Sequence, residues 1–447
     1  MQLKQAKSIR RQLAIATSSL LVAAPLQTVS AVEAGADQMD DIAVEVSRLY
    51  YAEEGRVTVN KTQTLITKEL SEDSRIKVNV TYDTMSGSSP NGRIYNPNAL
   101  GASSTVAVTT ASGFSFDAAA NASSASKKPW LTPFSDNRIA SNIEWEKGVT
   151  RTATIALGGG ISSENDYDSY SGSGKFIWDV NQRRTTLTTG VGYSNDYVEP
   201  STGVPDGLGE LRCINPITQL DWLASCDSTD LTFDKKPANK VTVDYFFGLT
   251  QVWNRNTLVQ LNYSHGTEDG YLTDPYKQIS VVNPGLNYQE LAVLYEKRPS
   301  TRETQSLFFK IINVPSERTT VHMSYRFFWD DWDVQAHTTD VRFRFNLGTK
   351  DYIQPHLRVS YQSAAFFSHR FIADEANSDF SEKPEYVSAD HRLSKQGTIT
   401  AGIKYGKQLG KFGRFGARIE QMHQKYSQNM LPDMKVWIVQ FLLSTRF

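Results

Sequence analysis

The sequence is poor in cysteine, in long apolar runs and in net charge, and each shortage excludes a class of protein. Two cysteines among 447 residues exclude a disulfide scaffold and a four-cysteine zinc site. After the first thirty positions no run of 18 apolar residues occurs, which excludes a helical membrane protein. A formal net charge of −1 offers no electrostatic match for nucleic acid, so we expect no nucleic-acid partner. Disorder is excluded as well, because aromatic residues make up 11% of the chain.

The first 31 residues predict a cleavable signal peptide. Four basic residues precede an apolar segment over residues 13–29, and the small residues Val29, Ser30 and Ala31 form a cleavage motif. A spanning or amphipathic helix is the alternative, and it is disfavoured because the segment is short and Pro25 interrupts it. We therefore expect an exported protein with a short periplasmic segment over residues 32–40 and one membrane domain over residues 41–447.

From residue 41 onward the dominant pattern is alternation of apolar and polar residues, which predicts β-strands. In residues 319–329, Val321 and Met323 share one face while His322 and Ser324 share the other. Most segments are 10 to 14 residues long. That is the length of a tilted membrane-crossing strand rather than the roughly 5–6 residues of soluble sheets. The sixteen predicted strands are 41–51, 57–70, 75–83, 137–147, 150–161, 172–180, 184–195, 240–253, 256–265, 301–312, 319–329, 341–347, 352–363, 398–409, 413–423 and 435–447.

The connections between these strands alternate between short turns and long loops. Aromatic residues are sorted to the strand ends, with Trp145 and Trp178 beside short turns and Tyr82 and Trp437 at the opposite ends. A soluble sandwich gives no reason for this sorting, whereas a membrane barrel needs aromatic girdles at both lipid interfaces. The predicted fold is therefore all-β, a single transmembrane antiparallel β-barrel of about 16 strands with long extracellular loops, in the bacterial outer membrane. The long loops lie near residues 86–136, 196–238, 266–300 and 366–393.

The end of the chain predicts an assembly signal. Phe441, Leu443 and Phe447 lie on one face of the last predicted strand. This pattern is similar to the terminal strand that the outer-membrane assembly machinery reads, and an ordinary edge strand is the alternative. We expect contacts with that machinery, with outer-membrane lipid and with lipopolysaccharide.

Four stretches of the sequence are similar to a bacterial family known as domain of unknown function 3570. They are Tyr-Asp-Thr-Met-Ser-Gly-Ser-Ser-Pro-Asn-Gly at 82–92, Tyr-Glu-Lys-Arg-Pro-Ser-Thr-Arg at 295–302, Ser-Tyr-Arg-Phe-Phe-Trp-Asp-Asp-Trp at 324–332 and Ser-Ala-Asp-His-Arg-Leu at 388–393. The resemblance spans most of the mature chain. It implies an outer-membrane protein without an established activity, and periplasmic partners that include redox-related or flavin-related proteins.

No motif for catalysis, cofactor binding or metal binding is found, so we expect no enzyme and no cofactor. The seven histidines are scattered without ligand spacing. Ser264 and His265 are adjacent and would face opposite sides of a strand, so they do not form a hydrolase site. The acidic clusters at 164–168 and 330–333 fall at predicted hairpin tips, where solvated charge is the favoured interpretation and calcium binding through carboxylate oxygens is the alternative.

The two cysteines, Cys213 and Cys226, fall in a predicted extracellular loop with twelve residues between them. A disulfide there would stabilise the loop by roughly 3 kcal/mol in the chain-entropy model. A redox-active pair is the alternative, and it would need closer spacing and an activated thiol. We expect a structural disulfide.

The alternation also predicts which charged side chains face the lumen. In the second half of the chain the inward positions are almost all basic, against Glu420 alone. A dry core cannot hold such charges, so the lumen is wet or filled by polar loops, and pairing with loop carboxylates is the alternative to transport. We expect a channel for small polar or anionic solutes, or else a non-transport barrel that acts as a scaffold or export component with periplasmic partners. The predicted basic wall consists of Lys310, Arg326, Arg342, Arg344, Arg358, Lys404 and Arg418.

Overall fold

The computed structural model describes residues 42–94, 130–200, 203–209, 237–286, 288–374, 384–410, 413–427 and 431–447. These residues form nineteen strands and two short 3-10 helices, Pro284–Leu286 and His391–Leu393. Among the described residues, no helix is long and apolar enough to cross a membrane. The strands are β1 Ile42–Glu53, β2 Val57–Ser71, β3 Ser74–Pro90, β4 Leu131–Gly148, β5 Ala153–Ser163, β6 Tyr167–Val180, β7 Thr185–Val198, β8 Ala238–Val252, β9 Thr257–Gly270, β10 Gln278–Asn283, β11 Gln289–Tyr295, β12 Thr301–Ser316, β13 Thr319–Asp330, β14 Gln335–Asn346, β15 Asp351–Gln362, β16 Ile372–Ala373, β17 Gln396–Leu409, β18 Gly413–Tyr426 and β19 Met434–Arg446.

Sixteen of the strands in the described part of the chain close into a barrel, which confirms the predicted architecture. Every barrel strand is antiparallel to both neighbours, and β1 closes the ring by pairing with β19, Ala43 opposite Arg446. At one end of the barrel the connections are short turns, such as residues 72–73 and 317–318. At the other end they include four long loops. We call these the short-turn end and the long-loop end.

The outer surface of the barrel is a belt of exposed apolar side chains. Ile139, Phe247 and Ile399 each expose more than half of their surface, at 58%, 52% and 55%. A soluble protein rarely exposes a continuous apolar area of this extent, whereas a barrel in lipid requires it. Tyr82 and Tyr193 face outward in the same belt, Tyr82 at the middle of β3 and Tyr193 past the middle of β7 toward its long-loop end.

Several strands extend past their predicted bounds toward the long-loop end. The strand predicted at 75–83 runs as β3 from Ser74 to Pro90, and the strand predicted at 137–147 begins as β4 at Leu131. The ladder between them continues to the pair Pro90 and Leu131. Above the membrane neither face of a strand has to be apolar, so alternation stops while the hydrogen-bonded ladder continues.

A second, three-stranded sheet of order β11-β10-β16 lies in the loops at the long-loop end and was not predicted. In that order these strands have seven, six and two residues, and β10 is buried along almost its whole length, so neither length nor alternation indicated them. One face of β10 packs Ile279 and Val281 on Leu208 and Val387. We call the residues of this sheet and the segments around it, 90–94, 203–209, 271–286, 288–300, 363–374 and 384–395, the loop layer.

Candidate functional site

The structure places all seven residues of the predicted basic wall on the inner face of the barrel. Met323 and Tyr325 expose 49% and 41% of their surface outward, so Arg326 points inward. Each of the other six likewise lies next to an exposed, outward apolar residue, for example Lys310 beside Phe309. Arg326 is nevertheless exposed. An inward side chain that remains exposed means that solvent enters the barrel at this level.

Two inward residues that sequence reasoning missed, Asp340 and His356, change the character of this wall. The Nδ1 atom of His356 lies 2.7 Å from Oε1 of Glu420, and its Nε2 atom lies 2.7 Å from Oδ2 of Asp340. The expectation that Glu420 is the one carboxylate among these cations is therefore wrong. It failed because the predicted strand began at 341, whereas β14 begins at Gln335 and includes Asp340.

The two carboxylates also neutralise two arginines of the wall. Arg342 lies 3.0 Å from Oδ1 of Asp340, and Arg418 lies 3.5 Å from Oε1 of Glu420. A neutral imidazole has one N–H, so a His356 with a carboxylate at each nitrogen makes both hydrogen bonds only when both nitrogens are protonated. We call Asp340, Arg342, His356, Arg418 and Glu420 the compensated band.

The predicted wall is consequently divided rather than uniform. Along their strands, Arg326 lies on the long-loop side of the compensated band, while Lys310 and Arg358 lie level with Asp340 at its long-loop edge. Lys404 lies level with Arg418 at the short-turn edge of the band, and Arg414 lies beyond that edge. Among the described residues, none of these five cations forms an ion pair with a carboxylate. Arg344, the remaining member of the predicted wall, donates to Asn346 and stacks over the ring of Tyr352 at 3.8 Å.

The opposite side of the lumen has charges that cancel. Lys77 lies 2.9 Å from Glu144 and 2.5 Å from Glu146, and Lys175 lies 2.5 Å from Glu144. Further along, Arg138 pairs with Asp83 at 3.1 Å. Other strands of the barrel rather than loops supply the partners of these inward residues.

The loop layer crosses the opening at the long-loop end. On one side the N–H of Gln278 donates to the carbonyl of Asn91, just past β3, at 2.7 Å. On the other side the N–H of Phe366 donates to the carbonyl of Trp332, between β13 and β14, at 3.0 Å. The two sides are joined through β10 and β16, which pair Val281 with Ile372. Since β3 and β13 are eight places apart around the sixteen-stranded ring of described residues, these contacts connect opposite walls.

A cluster of charges around two buried carboxylates, Glu296 and Asp390, joins two of the loops in this layer. Arg298 lies 2.7 Å from Glu296 and 2.8 Å from Asp390, while Arg392 bridges Asp390 and Asp274, each at 2.5 Å. Burial opposes the ionised form of Asp390, but Arg392, Lys277 and Arg298 hold its pKa well below the usual range. Burial raises the pKa of Glu296 to about 7.

The stretches that resemble the family supply the residues through which the segments of the loop layer contact one another. Gly92, in the first stretch, has φ of +97°, and a Cβ atom there would lie 2.1 Å from the carbonyl oxygen of Gln278. Glu296 and Arg298 come from the second stretch, and Asp390 comes from the fourth. The resemblance is thus concentrated where the loops attach to one another.

The third family stretch contains a further set of such contacts, around Asp330. Arg302 lies 2.5 Å from Oδ2 of Asp330 and 4.5 Å from the ring centre of Trp332. The other oxygen of Asp330 accepts from the N–H groups of Trp332 and Val334 at 3.1 and 2.8 Å. The interpretation of 330–333 as solvated tip charge is therefore wrong for Asp330, which organises the turn.

The other acidic cluster brings Glu164 and Asp166 together with Asp136 of β4. Carboxylate oxygens of these three residues lie within 4.8 Å of one another, and Arg138 lies 3.6 Å from Glu164. Burial and the charge of Asp136 raise the pKa of Glu164 to about 7. The three carboxylates are of the type that divalent cations prefer, but Arg138 already supplies positive charge to them.

The remaining predicted residues divide into two sets. Phe441 and Leu443 face outward with half of their surface exposed, and the N–H of Phe447 donates to the carbonyl of Ile42 at 3.0 Å. Their role as an assembly signal stays a prediction. The predicted signal peptide, the segment 32–40 and both cysteines, Cys213 and Cys226, lie outside the described residues.

A closed antiparallel barrel with an exposed apolar belt and a charged interior is a transmembrane β-barrel of the outer-membrane type. Within that class, residues 10–444 match the family described as protein of unknown function (DUF3570), and the chain belongs to this family. The resemblance noted in the sequence is confirmed. No curated protein matches the sequence significantly.

Three solved structures illustrate the similarity of the fold. A ferric enterobactin receptor of Pseudomonas aeruginosa is 10% identical with a TM-score of 0.41, over 86% of this chain and 53% of the receptor. A bacterial polysaccharide outer membrane secretin is 7% identical with a TM-score of 0.45, over 92% and 100% of the two chains. The outer membrane protein opdK of Pseudomonas aeruginosa is 7% identical with a TM-score of 0.38, over 91% and 99%. The chain spans about half the length of the siderophore receptors that it matches.

Proposed function

We propose that this protein is a channel of the bacterial outer membrane that passes small anionic solutes, after export and cleavage of residues 1–31. The observation that carries the proposal is the inner wall, where solvent reaches cations that form no ion pair with a carboxylate among the described residues. The proposal includes no catalytic step and no cofactor. The apolar belt supports the membrane location.

The charge balance of the wall supports anions over cations as solutes. On the barrel strands from β12 to β18, leaving aside the Arg302–Asp330 pair, the inward charged side chains are eight Lys and Arg residues and two carboxylates. Glu45 of β1 adds a third carboxylate, which interacts with Lys404 and Arg414. Neighbouring strands are about 4.8 Å apart, less than the Debye length of about 8 Å, so screening between adjacent charges is incomplete. The excess positive charge raises the local concentration of anions. The eight cations are Lys310, Arg326, Arg342, Arg344, Arg358, Lys404, Arg414 and Arg418.

The test is the reversal potential in a planar bilayer under a potassium chloride gradient. We expect anion preference in the wild type, and a strong reduction of that preference in Lys310→Gln/Arg326→Gln/Arg358→Gln/Lys404→Gln. The matched control removes four exposed outward lysines, Lys68→Gln/Lys407→Gln/Lys425→Gln/Lys435→Gln, and should keep the preference. Cation preference, or equal selectivity in all three proteins, would contradict the proposal.

A second candidate function is a barrel that does not transport but acts as a scaffold or export component with periplasmic partners, redox-related or flavin-related ones included. The loop layer favours this candidate, because its hydrogen bonds across the opening leave less room for a solute to enter the barrel from outside. The two functions differ in one measurement. If conductance stays absent even after the loop layer is loosened by Arg298→Gln/Arg392→Gln, the scaffold is supported and the channel is not.

A further inference from the structure

Three cations without an ion pair converge on one part of the lumen wall. Lys310 of β12 pairs across the sheet with Ser324, Ser324 pairs with Asp340, and Asp340 pairs with Arg358, so these residues form one inward row over four strands. With about 4.8 Å between strands, the row is about 14 Å wide at the backbone. Lysine and arginine side chains directed toward the axis of a closed barrel approach each other, so their charged ends are closer than their backbones. Arg326 lies two residues beyond Ser324, toward the long-loop end.

Hydroxyl groups fill the space between these cations. Thr338 lies opposite Arg326 on the neighbouring strand, and its hydroxyl is 3.0 Å from that of Ser360. Ser324 contributes a third hydroxyl, in the row between Lys310 and Asp340. The wall therefore offers two guanidinium groups, an ammonium group and hydroxyl donors, which together match the oxygen atoms of an anion.

One carboxylate, Asp340, lies in the same row, and its contacts explain why it forms no ion pair with these cations. Its Oδ2 atom is 2.7 Å from Nε2 of His356, and its Oδ1 atom is 3.0 Å from Arg342. Both partners lie on the short-turn side of Asp340 along their strands. The compensated band thus engages Asp340 and leaves Lys310 and Arg358 on either side of it without an ion pair.

We propose that Lys310, Arg326 and Arg358, with Ser324, Thr338 and Ser360, form a binding subsite for small oxyanions that carry two negative charges, the class of inorganic phosphate. The planar fork of each arginine suits two oxygens of such an anion, whereas chloride can use only the charge. The subsite rests on the proposed channel function, because it takes its ligand from the lumen, but it can be tested without conduction.

The binding test uses the full-length protein folded in detergent, titrated with inorganic phosphate and followed by calorimetry. Loss of two bidentate, charge-assisted contacts in Arg326→Gln/Arg358→Gln should weaken phosphate binding by about tenfold or more. The matched control, Lys404→Gln/Arg414→Gln, removes two lumen charges nearer the short-turn end, farther from the subsite, and should change binding by less than about threefold. An equal loss in both double variants, or no phosphate binding by the wild type, would overturn the subsite.

Two further measurements keep the outcome interpretable. Heat-dependent migration in SDS gels verifies that each variant is folded, and Arg326→Lys/Arg358→Lys keeps the charge while removing the forks. That variant should bind phosphate with intermediate affinity, and wild-type affinity in it would refute the bidentate contacts. In bilayers, phosphate binding without any conductance would refute the channel and keep the subsite, whereas anion conductance without phosphate binding would do the opposite.

Discussion

At the scale of single residues, His356 is the side chain on which most of the lumen wall depends. Its two ring nitrogens each contact a carboxylate at 2.7 Å, and those carboxylates in turn contact Arg342 and Arg418. Without an imidazole between them, Asp340 and Glu420 would be free to pair with other cations of the wall. The charge distribution along the lumen is therefore set in large part by one histidine.

We expect His356→Phe to destabilise the barrel strongly. Removing one partner from a buried charged network leaves the others uncompensated, which costs about 3–5 kcal/mol of unfolding free energy. Urea unfolding of the protein refolded in lipid vesicles measures this quantity. His369→Gln, at an exposed loop position, is the control and should cost less than about 0.5 kcal/mol. Equal unfolding curves for the two variants would contradict the structural role of His356.

The burial of Glu164 predicts that the stability of the protein depends on pH. Burial and Asp136 raise the pKa of Glu164 in the folded protein to about 7, from an ordinary value of 4.5. The folded state therefore binds the proton more tightly than the unfolded state, so the carboxyl group costs stability progressively as pH rises from 4.5 to 7. Glu164→Gln removes that cost.

The expected result is a higher melting temperature of Glu164→Gln than of wild type at pH 8, and no difference below pH 4.5, the ordinary pKa of the group. Glu72→Gln, in an exposed short turn, serves as the control and should match the wild type at both pH values. A difference that is as large in acid as at pH 8 would show that the substitution acts through packing rather than through ionisation.

At the scale of elements, the sequence predicted the strands whose alternation the lipid imposes, and it missed the strand segments that lie outside the lipid. Strands that cross the membrane alternate strictly, so all sixteen barrel strands were found among the described residues. Beyond the lipid the constraint disappears, so the extension of β3 to Pro90 and the whole of β10 gave no alternating pattern. Asp340 lies at the level of the apolar belt and was missed for a different reason: β14 has few apolar residues in its first half, so alternation there is weak. A pairing such as His356 with two carboxylates depends on register between strands, which alternation does not specify.

The attachment of the loop layer to β3 depends on Gly92, which leads to a further prediction. A side chain at this position would meet the carbonyl oxygen of Gln278 at 2.1 Å, with a backbone φ of +97°. Gly92→Ala should therefore cost about 1–3 kcal/mol of local stability and expose the loop layer to protease. Gly348→Ala is the control, because a Cβ atom there has nothing within 4 Å.

Limited proteolysis followed by mass spectrometry measures this effect. Cleavage should increase between residues 271 and 300 in Gly92→Ala, while heat-dependent migration of the barrel in SDS gels is retained. Protection equal to that of Gly348→Ala would mean that the contact between Gly92 and Gln278 does not hold the layer.

At the scale of the whole molecule, the loop layer and the lumen wall act in series along any path through the barrel. The layer is joined internally by Arg298 and Arg392, which bind carboxylates from two loops. We expect Arg298→Gln/Arg392→Gln to raise single-channel conductance or open probability several-fold, because Glu296, Asp390 and Asp274 would then repel one another. Lys297→Gln, in the same segment after β11, is the control and should leave conductance within about twofold, since Lys297 contacts the ring of Tyr386 and the backbone of Val387. Unchanged conductance in the double variant would show that the loop layer does not control the passage of ions through the barrel.

Because β1 pairs with β19, the barrel is a closed ring in which the first and last strands have two hydrogen-bonded neighbours, like every other barrel strand. The N–H of Phe447 and the carbonyl of Ile42 are only 3.0 Å apart, so a short linker could join these ends. The ring could then be cut at another short turn, such as residues 347–350, without loss of any of its inter-strand ladders. A circularly permuted chain opened there should refold in detergent to the same heat-resistant, β-rich species. In that chain the strand ending at Phe447 would become internal. Efficient refolding in detergent would show that the closed sheet is stable without a terminal Phe447. Poor insertion of the same chain in cells would show that the assembly machinery recognises the last strand by its position at the end of the chain.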